Sequence, residues 1–136
     1  MAEVKVFSDG GARGNPGPAA YGFVVYKDDT EIYMQKEFLG LTTNNVAEYT
    51  GLFKAFEWVS ENIEDASSIT FHLDSELVVK QMNGEYKIKS TPLFEIAQKV
   101  KALQKLSSAQ IAFVHVRREN NRDADLLVNQ ALDAHS

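Results

Sequence analysis

Residues 19–39 read AAYGFVVYKDDTEIYMQKEFL, and this stretch decides the fold. Two runs rich in β-branched and aromatic residues, 19–27 and 31–39, flank the short polar turn Asp28-Asp29-Thr30. This pattern predicts a β-hairpin. Residues 4–8, VKVFS, predict an earlier strand that ends at Asp9, so three consecutive strands come before the first helix.

Helical and strand-like patterns alternate after the hairpin. Pro92 is expected at the start of a helix, because proline is tolerated in the first helical turn. The predicted elements are a helix over 46–60, a strand over 68–73, a short helix over 75–83, a helix over 92–106, a strand over 110–116 and a helix over 123–134. The order βββ-α-β-α-α-β-α predicts an α/β fold in which helices pack on a mixed sheet.

The composition is that of a globular protein. A chain of 136 residues with 44% hydrophobic and 24% charged residues fits one domain, which we expect to span 1–136. No apolar run approaches the roughly 20 residues of a membrane span, and the first residues do not resemble a signal peptide. The absence of cysteine excludes disulfides and thiolate metal sites, so we expect a cytoplasmic location.

The net charge of −5 argues mildly against simple electrostatic binding of nucleic acid. Bound cations would reverse the local potential, however, if several acids converged on metal ions. The modest charge and the lack of tails lead us to expect a monomer.

Two aspartates follow apolar strand patterns. Asp9 precedes Gly10-Gly11, and Asp74 precedes a short helix. If their strands are parallel neighbours, both carboxylates reach the same end of the sheet, where α/β proteins usually bind ligands. Taken singly, each has a more common structural use, Asp9 as a turn residue and Asp74 as a helix N-cap.

Glu48 continues the apolar stripe of the first helix, because Leu52, Ala55 and Val59 follow it at helical spacing. A carboxylate on the inward face is costly unless it is paired or binds a metal. The alternative is a capping box, in which Asn45 precedes Glu48 by three residues. These two interpretations weigh about equally.

The last helix begins with two acids, Asp123 and Asp125, and helical periodicity does not choose between them. The glycine-rich residues 8–23, SDGGARGNPGPAAYGF, lack the Gly-Lys-Ser/Thr of a phosphate-binding loop and precede a strand. They form either a flexible turn or a loop whose glycines let a sugar-phosphate backbone approach closely.

Together these segments resemble ribonuclease H type 1, in a short form without the basic protrusion that some relatives insert. The resemblance covers about residues 4–132. It rests on FSDGGARGNPGPAAYGFVV (7–25), TTNNVAEYTGLFKA (42–55), FHLDSELVVKQMNGEYKIK (71–89) and RRENNRDADLLVNQAL (117–132). It implies the RNase H-like fold, with a mixed five-stranded sheet, the first three strands antiparallel, the fourth and fifth parallel to the first, and helices on both faces.

The resemblance also implies a catalytic and metal-binding quartet of Asp9, Glu48, Asp74 and Asp125. Asp125 is chosen over Asp123 because Ala124-Asp125-Leu126-Leu127 matches the family's Ala-Asp-x-Leu. The implied cofactor is Mg²⁺, as two ions that Mn²⁺ can replace. The implied activity is endonucleolytic hydrolysis of the RNA strand of RNA/DNA hybrids, which leaves 5′-phosphate and 3′-hydroxyl ends.

The positions that match substrate contacts in the family are Gly10, Gly11, Asn15, Thr43, Asn44, Asn45, Ser75 and Glu76. Many relatives carry a histidine in the loop before the last helix, where this chain has Arg117 and Arg118. Arg118 fits the pattern better and is expected to stabilise phosphate charge or to help the product leave. The alternative for Arg118 is a solvated loop charge.

Three other functions compete with this interpretation. A nuclease of the same fold acting on duplex RNA or DNA keeps the same acids, although Asn44, Asn45 and the glycine-rich loop favour the hybrid. A non-catalytic hybrid-binding module has no reason to keep four acids. A simple Ca²⁺-binding protein lacks support, because no EF-hand spacing is present.

Overall fold

The fold is a five-stranded mixed sheet with helices on both faces, as the sequence predicts. A computed structural model describes all 136 residues. The elements are β1 (Ala2–Ala12), β2 (Gly17–Lys27), β3 (Thr30–Thr42), α1 (Asn44–Asn62), β4 (Ala66–Leu73), α2 (Glu76–Met82), α3 (Thr91–Leu106), β5 (Gln110–His115) and α4 (Arg122–Asp133). A short 3-10 turn, Arg118–Asn120, precedes α4 and was not expected.

The strands lie in the order β3-β2-β1-β4-β5. The first three are antiparallel, whereas β4 is parallel to β1 and β5 is parallel to β4. The predicted hairpin is confirmed. Asp28 and Asp29 have φ angles of 49° and 66°, the left-handed conformation that tight two-residue hairpin turns require.

The main core lies between one face of the sheet and helices α1 and α3. Alternate residues of each strand face this layer, as the two-residue period of a strand requires. Its largest fully buried side chains include Tyr21, Phe23, Tyr49, Phe56 and Phe71. On the opposite face, α4 covers β2 with a smaller cluster of Ala20, Val128, Ala131 and Leu132. None of the helices combines the length and the apolar character that crossing a membrane needs.

Three local expectations were wrong. β1 does not end at Asp9 but continues to Ala12, so Asp9 is a strand residue rather than a turn residue. Helix α1 is capped by Thr43, whose side chain accepts a hydrogen bond from the Val46 amide, so Asn45 and Glu48 form no capping box. Ser75, not Asp74, is the N-cap of α2. Asp9, Glu48 and Asp74 are thereby left without the ordinary structural roles that competed with function.

Candidate active site

Unequal strand lengths bring Asp9 and Asp74 together. β4 pairs with β1 only as far as Leu73, which lies opposite Ser8. β1 then continues from Asp9 to Ala12 with a partner only on its β2 side. Asp74, the first residue after β4, therefore lies beside Asp9 at the carboxyl end of the parallel pair, where ligand sites of α/β sheets commonly form.

Close packing of α1 against β1 brings Glu48 to the same place. A Cβ atom on Gly10 would lie 2.4 Å from the carbonyl group of Ala47 and 2.5 Å from the amide nitrogen of Glu48. A Cβ atom on Gly51, one turn further along α1, would lie 3.1 Å from the backbone oxygen of Asp9, a tight but less severe contact. Since only glycine permits the approach at Gly10, this residue sets the distance between the strand and the helix, and Gly51 adds to the close packing.

A third glycine positions Asp125. Gly22 pairs with Asp9 across β1 and β2, and its missing Cβ would lie 2.5 Å from the Leu127 Cβ. Helix α4 therefore rests directly on β2 beside Asp9, and Asp125 in its first turn faces the same cavity. Asp123 points elsewhere and is exposed, and the Tyr26 hydroxyl lies 3.4 Å from its carboxylate.

The four acids line a cavity of about 500 Å³. One carboxylate oxygen from each of Asp9, Glu48 and Asp74 lies within 4.8 Å of the others. Asp9 is 5% exposed and Glu48 is 7% exposed, so two of these charges are nearly excluded from water. We call Asp9, Glu48, Asp74 and Asp125 the acidic cluster.

Burial and mutual repulsion alter the ionisation of this cluster. Desolvation, followed by the charge of Asp74, raises the pKa of Asp9 to about 7. Desolvation, followed by the charge of Asp9, raises the pKa of Glu48 well above its ordinary value, and the Gly10 amide offsets only part of this. Without a cation, the fold holds these carboxylates at a cost in free energy.

The cluster suits a hard divalent cation. The Glu48 Oε2 atom is buried and has no hydrogen-bond partner, although buried polar atoms in proteins are nearly always satisfied. All the donors are carboxylate oxygens, the ligands that Mg²⁺ and Mn²⁺ prefer. Asp9, Glu48 and Asp74 are close enough to share one ion, and Asp125 borders the same space.

Not all of the predicted substrate-contact residues line the cavity. Those that do are Gly10, Gly11, Asn44, Asn45 and Ser75. Asn15 accepts a hydrogen bond from the Asn44 backbone amide at 3.1 Å, and Thr43 caps α1 by accepting one from the Val46 amide. Both residues therefore hold the start of α1 in position but do not line the cavity. Glu76 lies outside the cavity and pairs with Lys80 at 3.3 Å.

The structure distinguishes the two loop arginines. The Arg118 Nη2 atom lies 3.9 Å from Asp125 Oδ1, and the residue lines the cavity although its side chain is 81% exposed. Arg117 points instead to Glu119, at 4.0 Å. Of the two, Arg118 is therefore placed to meet a ligand in the cavity.

The residues of α4 beyond Asp125, together with Arg13, were not expected in the cavity. The cavity is lined by Val128, Asn129 and Leu132, which follow Asp125 at helical spacing. Once Asp125 was chosen, the helical period alone could have predicted that they share its face. Nothing in the glycine-rich segment indicated that Arg13 would reach α4, because that contact joins residues more than one hundred positions apart.

Comparisons with known proteins agree with this architecture. The family described as reverse transcriptase-like matches residues 7–131. The bifunctional protein Rv2228c of Mycobacterium tuberculosis is 40% identical over 134 residues, which cover 97% of this chain and 36% of that protein. Ribonuclease HI of Halobacterium salinarum is 37% identical over 132 residues, covering 96% of this chain and 64% of that protein. The chain therefore spans about a third of the length of its mycobacterial relative.

Among solved structures, LC11-RNase H1 in complex with an RNA/DNA hybrid superposes with a TM-score of 0.92. It is 38% identical in sequence, and the match covers 98% of this chain and 99% of that one. The agreement therefore extends over the whole sheet, all four helices and the sequence segments that carry the acidic cluster. The chain belongs to the ribonuclease H type 1 family.

Proposed function

We propose that this protein is an endoribonuclease that hydrolyses the RNA strand of RNA/DNA hybrids and leaves 5′-phosphate and 3′-hydroxyl ends. The observation that carries the proposal is the acidic cluster, in which buried, mutually repelling carboxylates surround an unpartnered Glu48 oxygen. Family membership and the hybrid bound to LC11-RNase H1 support the choice of substrate.

The acidic cluster would hold two divalent cations, Mg²⁺ or in its place Mn²⁺. We assign Asp9 as the ligand shared by both ions, Glu48 and Asp74 to one ion, and Asp125 to the other. When bound, such a pair supplies activation of a water on one side of a phosphodiester and charge stabilisation of the leaving oxygen on the other.

The protein's own groups would bind and orient the hybrid around this cluster. Glu48, in the first turn of α1, would sense the RNA 2′-hydroxyl, the group that distinguishes RNA from DNA. The backbone at Gly10 and Gly11 lines the cavity, and a sugar-phosphate backbone would approach it there. Asn44 and Asn45 offer amide groups from the first turn of α1.

We assign the remaining predicted contacts to the same substrate. Thr43 and Asn15 would hold a phosphate of the DNA strand, and Ser75 and Glu76 would face the minor groove. Arg118 would stabilise charge on the reacting phosphate or assist product release. It cannot act as a general base, because a guanidinium stays protonated at neutral pH.

A cleavage assay tests the proposal directly. End-labelled RNA/DNA hybrid, duplex RNA, duplex DNA and single-stranded RNA are each incubated with Mg²⁺, Mn²⁺ or EDTA. We expect cleavage of the RNA strand of the hybrid, with a ladder of 5′-phosphate products, and loss of cleavage in EDTA and in Asp74→Asn. The solvent-exposed Asp123→Asn is the matched control and should keep activity. Cleavage of duplex DNA or duplex RNA alone would refute the proposal.

The oligomeric state, domain organisation and cellular location are also proposed. We propose a monomer formed by a single catalytic domain over 1–136 and acting in the cytoplasm. The chain contains no cysteine and so no disulfide, the bond that is typical of proteins in oxidising compartments. All four members of the acidic cluster come from one chain, so a second copy is not needed to complete the cavity. Sedimentation analysis at micromolar concentration checks the monomer.

A further inference from the structure

One side of the cavity is not explained by the acidic cluster. Arg13 lies just past the end of β1 and lines the cavity where the glycine-rich loop meets α4. Its Nη2 atom lies 2.8 Å from Asp133 Oδ1 and 3.3 Å from Asn129 Oδ1. The loop is thus tied to the helix that carries Asp125.

Both contacts of Arg13 use the same nitrogen, Nη2. A guanidinium carries five N–H donors on three nitrogens, so Nη1 and Nε keep donors without a partner in the fold. The side chain is 44% exposed, so these donors are open to a ligand. This arrangement, held at one edge and free at the other, suits the planar, two-point recognition of a phosphate.

The guanidinium is also fixed relative to the acidic cluster. Asn129, which accepts from Arg13, donates its own Nδ2 hydrogen to the backbone oxygen of Asp125 at 3.0 Å. The same turn of α4 therefore carries Asp125 of the acidic cluster and Asn129, which orients Arg13. Such preorganisation reduces the entropy lost when a ligand is bound.

The distance of Arg13 from the cluster indicates which part of a strand it would meet. It lies four residues after Asp9 along an extended backbone, which corresponds to roughly 13 Å between the Cα atoms. Its partners Asn129 and Asp133 lie one and two turns of α4 beyond Asp125, so the guanidinium lies further along the cavity than the acidic cluster and would meet a neighbouring phosphate of the same strand. Arg13 and Arg118 are the only cations that line this cavity.

We propose that Arg13 is a phosphate-binding residue that holds a phosphate of the nucleic-acid strand at least one nucleotide from the cleaved bond. Asp133 and Asn129 orient its guanidinium. This inference rests on the proposed function, and it adds a contact on the α4 side of the cavity. The expected contacts Thr43 and Asn15 lie on the α1 side.

The test measures hybrid binding as a function of salt for variants in an Asp74→Asn background, which prevents cleavage. Arg13→Ala should weaken binding by roughly three- to tenfold, as expected for the loss of one hydrogen bond of ordinary net strength at a partly exposed site. It should also lower the slope of log K against log salt by about 1, because one phosphate contact is lost. Arg13→Lys should restore the slope but only part of the affinity.

Two further variants separate phosphate binding from a purely structural tie. Asp133→Asn removes a carboxylate that orients Arg13 but leaves the guanidinium in place, so hybrid binding should weaken less than in Arg13→Ala and keep the salt slope of the parent protein; a loss of affinity as large as that of Arg13→Ala would mean that the pair only fastens the loop. Lys36→Ala removes a lysine that contacts Gln130 of α4 at 2.9 Å outside the cavity, and it should leave the slope unchanged. In active protein, Arg13→Ala should raise KM and leave kcat near that of the wild type.

The proposal about Arg13 and the proposed function fail in different ways. If wild-type protein cleaves the hybrid but Arg13→Ala keeps the full salt slope, only the role of Arg13 is wrong. If wild-type protein neither binds nor cleaves the hybrid, both proposals fall.

Discussion

Glu48 has a buried carboxylate that no group in the fold neutralises. It is 7% exposed, its Oε2 atom has no hydrogen-bond partner, and it lies beside Asp9. A side chain of this kind lowers the stability of the metal-free protein and becomes favourable when a cation binds. Function and stability are therefore opposed at this residue.

Replacing Glu48 with glutamine should reveal this opposition. Glu48→Gln removes the buried charge at nearly constant shape, so in EDTA the Tm should rise by roughly 3–6 °C, the shift that about 1 kcal/mol produces in a domain of this size. Mg²⁺ should raise the Tm of the wild type but hardly that of the variant. Calorimetry in EDTA and in Mg²⁺ measures both. Glu57→Gln, on the outer face of α1, is the control and should change neither.

The pKa of Asp9 predicts how metal-free stability depends on pH. The folded-state pKa is about 7, above the ordinary value of 3.8, so the folded protein binds this proton more tightly than the unfolded chain does. The stability that results is fully present below about pH 4 and is lost as the pH rises through about 7.

This dependence is measured by denaturant unfolding in EDTA. The free energy of unfolding of the wild type should fall relative to that of Asp9→Asn between about pH 4 and pH 7, and the difference should then level off. Taking the difference between the two proteins cancels titrating groups that do not interact with Asp9, such as His72, whose pKa burial lowers. A difference that stays constant across this range would contradict the raised pKa.

Individual residues were predictable to different degrees. Glu48 stood out in the sequence because an acid on an apolar helical stripe needs an explanation. Asp125 and Asp123 share a helical turn, and periodicity alone did not separate them; the packing of Leu127 on Gly22 turns Asp125 towards the cavity and leaves Asp123 on the surface. A contact between a helix and a strand so distant in sequence is not encoded in local pattern.

At the scale of elements, glycines decide how closely the helices approach the sheet. Gly10 and Gly11 are neighbours in β1, but only Gly10 faces the backbone of α1. A Cβ on Gly10 would lie 2.4 Å from Ala47, whereas the nearest atom to a Cβ on Gly11 is 3.9 Å away, on the Asn44 side chain. These two positions form a natural pair for an experiment.

Gly10→Ala should push α1 away from β1 and carry Glu48 with it. We expect a loss of about 1–3 kcal/mol in the free energy of unfolding, the usual cost of overpacking, and a large loss of Mg²⁺-dependent cleavage. Gly11→Ala should unfold within about 0.5 kcal/mol of the wild type, as is usual where a substitution meets no contact. Equal stability of the two variants would show that the close approach of α1 does not depend on Gly10.

Element boundaries were less predictable than element types. The sequence pattern ended β1 at Asp9 because Gly10 and Gly11 are turn residues in most contexts, yet pairing with β2 continues through both. The helix caps were misassigned by two residues at Asn45 and by one at Asp74, because Thr43 and Ser75 compete for the same role. Local propensity ranks these polar residues alike as N-caps, and the tertiary structure determines which of them caps each helix.

At the scale of the whole molecule, charge is unevenly distributed along the chain. Residues 80–106, from the last turn of α2 through α3, contain six lysines and two glutamates, a net charge of +4, so the remaining residues carry −9. The proposed polyanionic substrate would therefore meet one basic segment and an acidic cluster that needs cations to bind it. Lys87 and Lys89 are exposed cations of the loop between α2 and α3.

Binding of the hybrid should consequently be weak and sensitive to salt. We expect KM to rise steeply with monovalent salt while kcat changes little, because few phosphate contacts hold the complex and each releases counterions. Initial rates at several KCl concentrations, with free Mg²⁺ held constant, measure this. A KM that is independent of salt would show that contacts other than phosphate dominate binding.

The overall architecture followed from the sequence because its pattern changes clearly from two-residue to helical periods. The three antiparallel strands, the parallel pair and the helical layers all agree with that pattern and with the resemblance to the family. The contact of Arg13 with α4 did not follow, since it depends on how the whole molecule closes and on which helix face meets the loop.

The acidic cluster draws its members from positions 9, 48, 74 and 125, so the first and last are separated by most of the chain. During synthesis on a ribosome, Asp9, Glu48 and Asp74 emerge long before α4 can dock on β2. A hydrolytic centre that needs all four acids is therefore inactive in a nascent chain or in a truncated product. If the proposed cleavage needs all four acids, it becomes possible only once α4 has docked on β2, so activity would report on that docking.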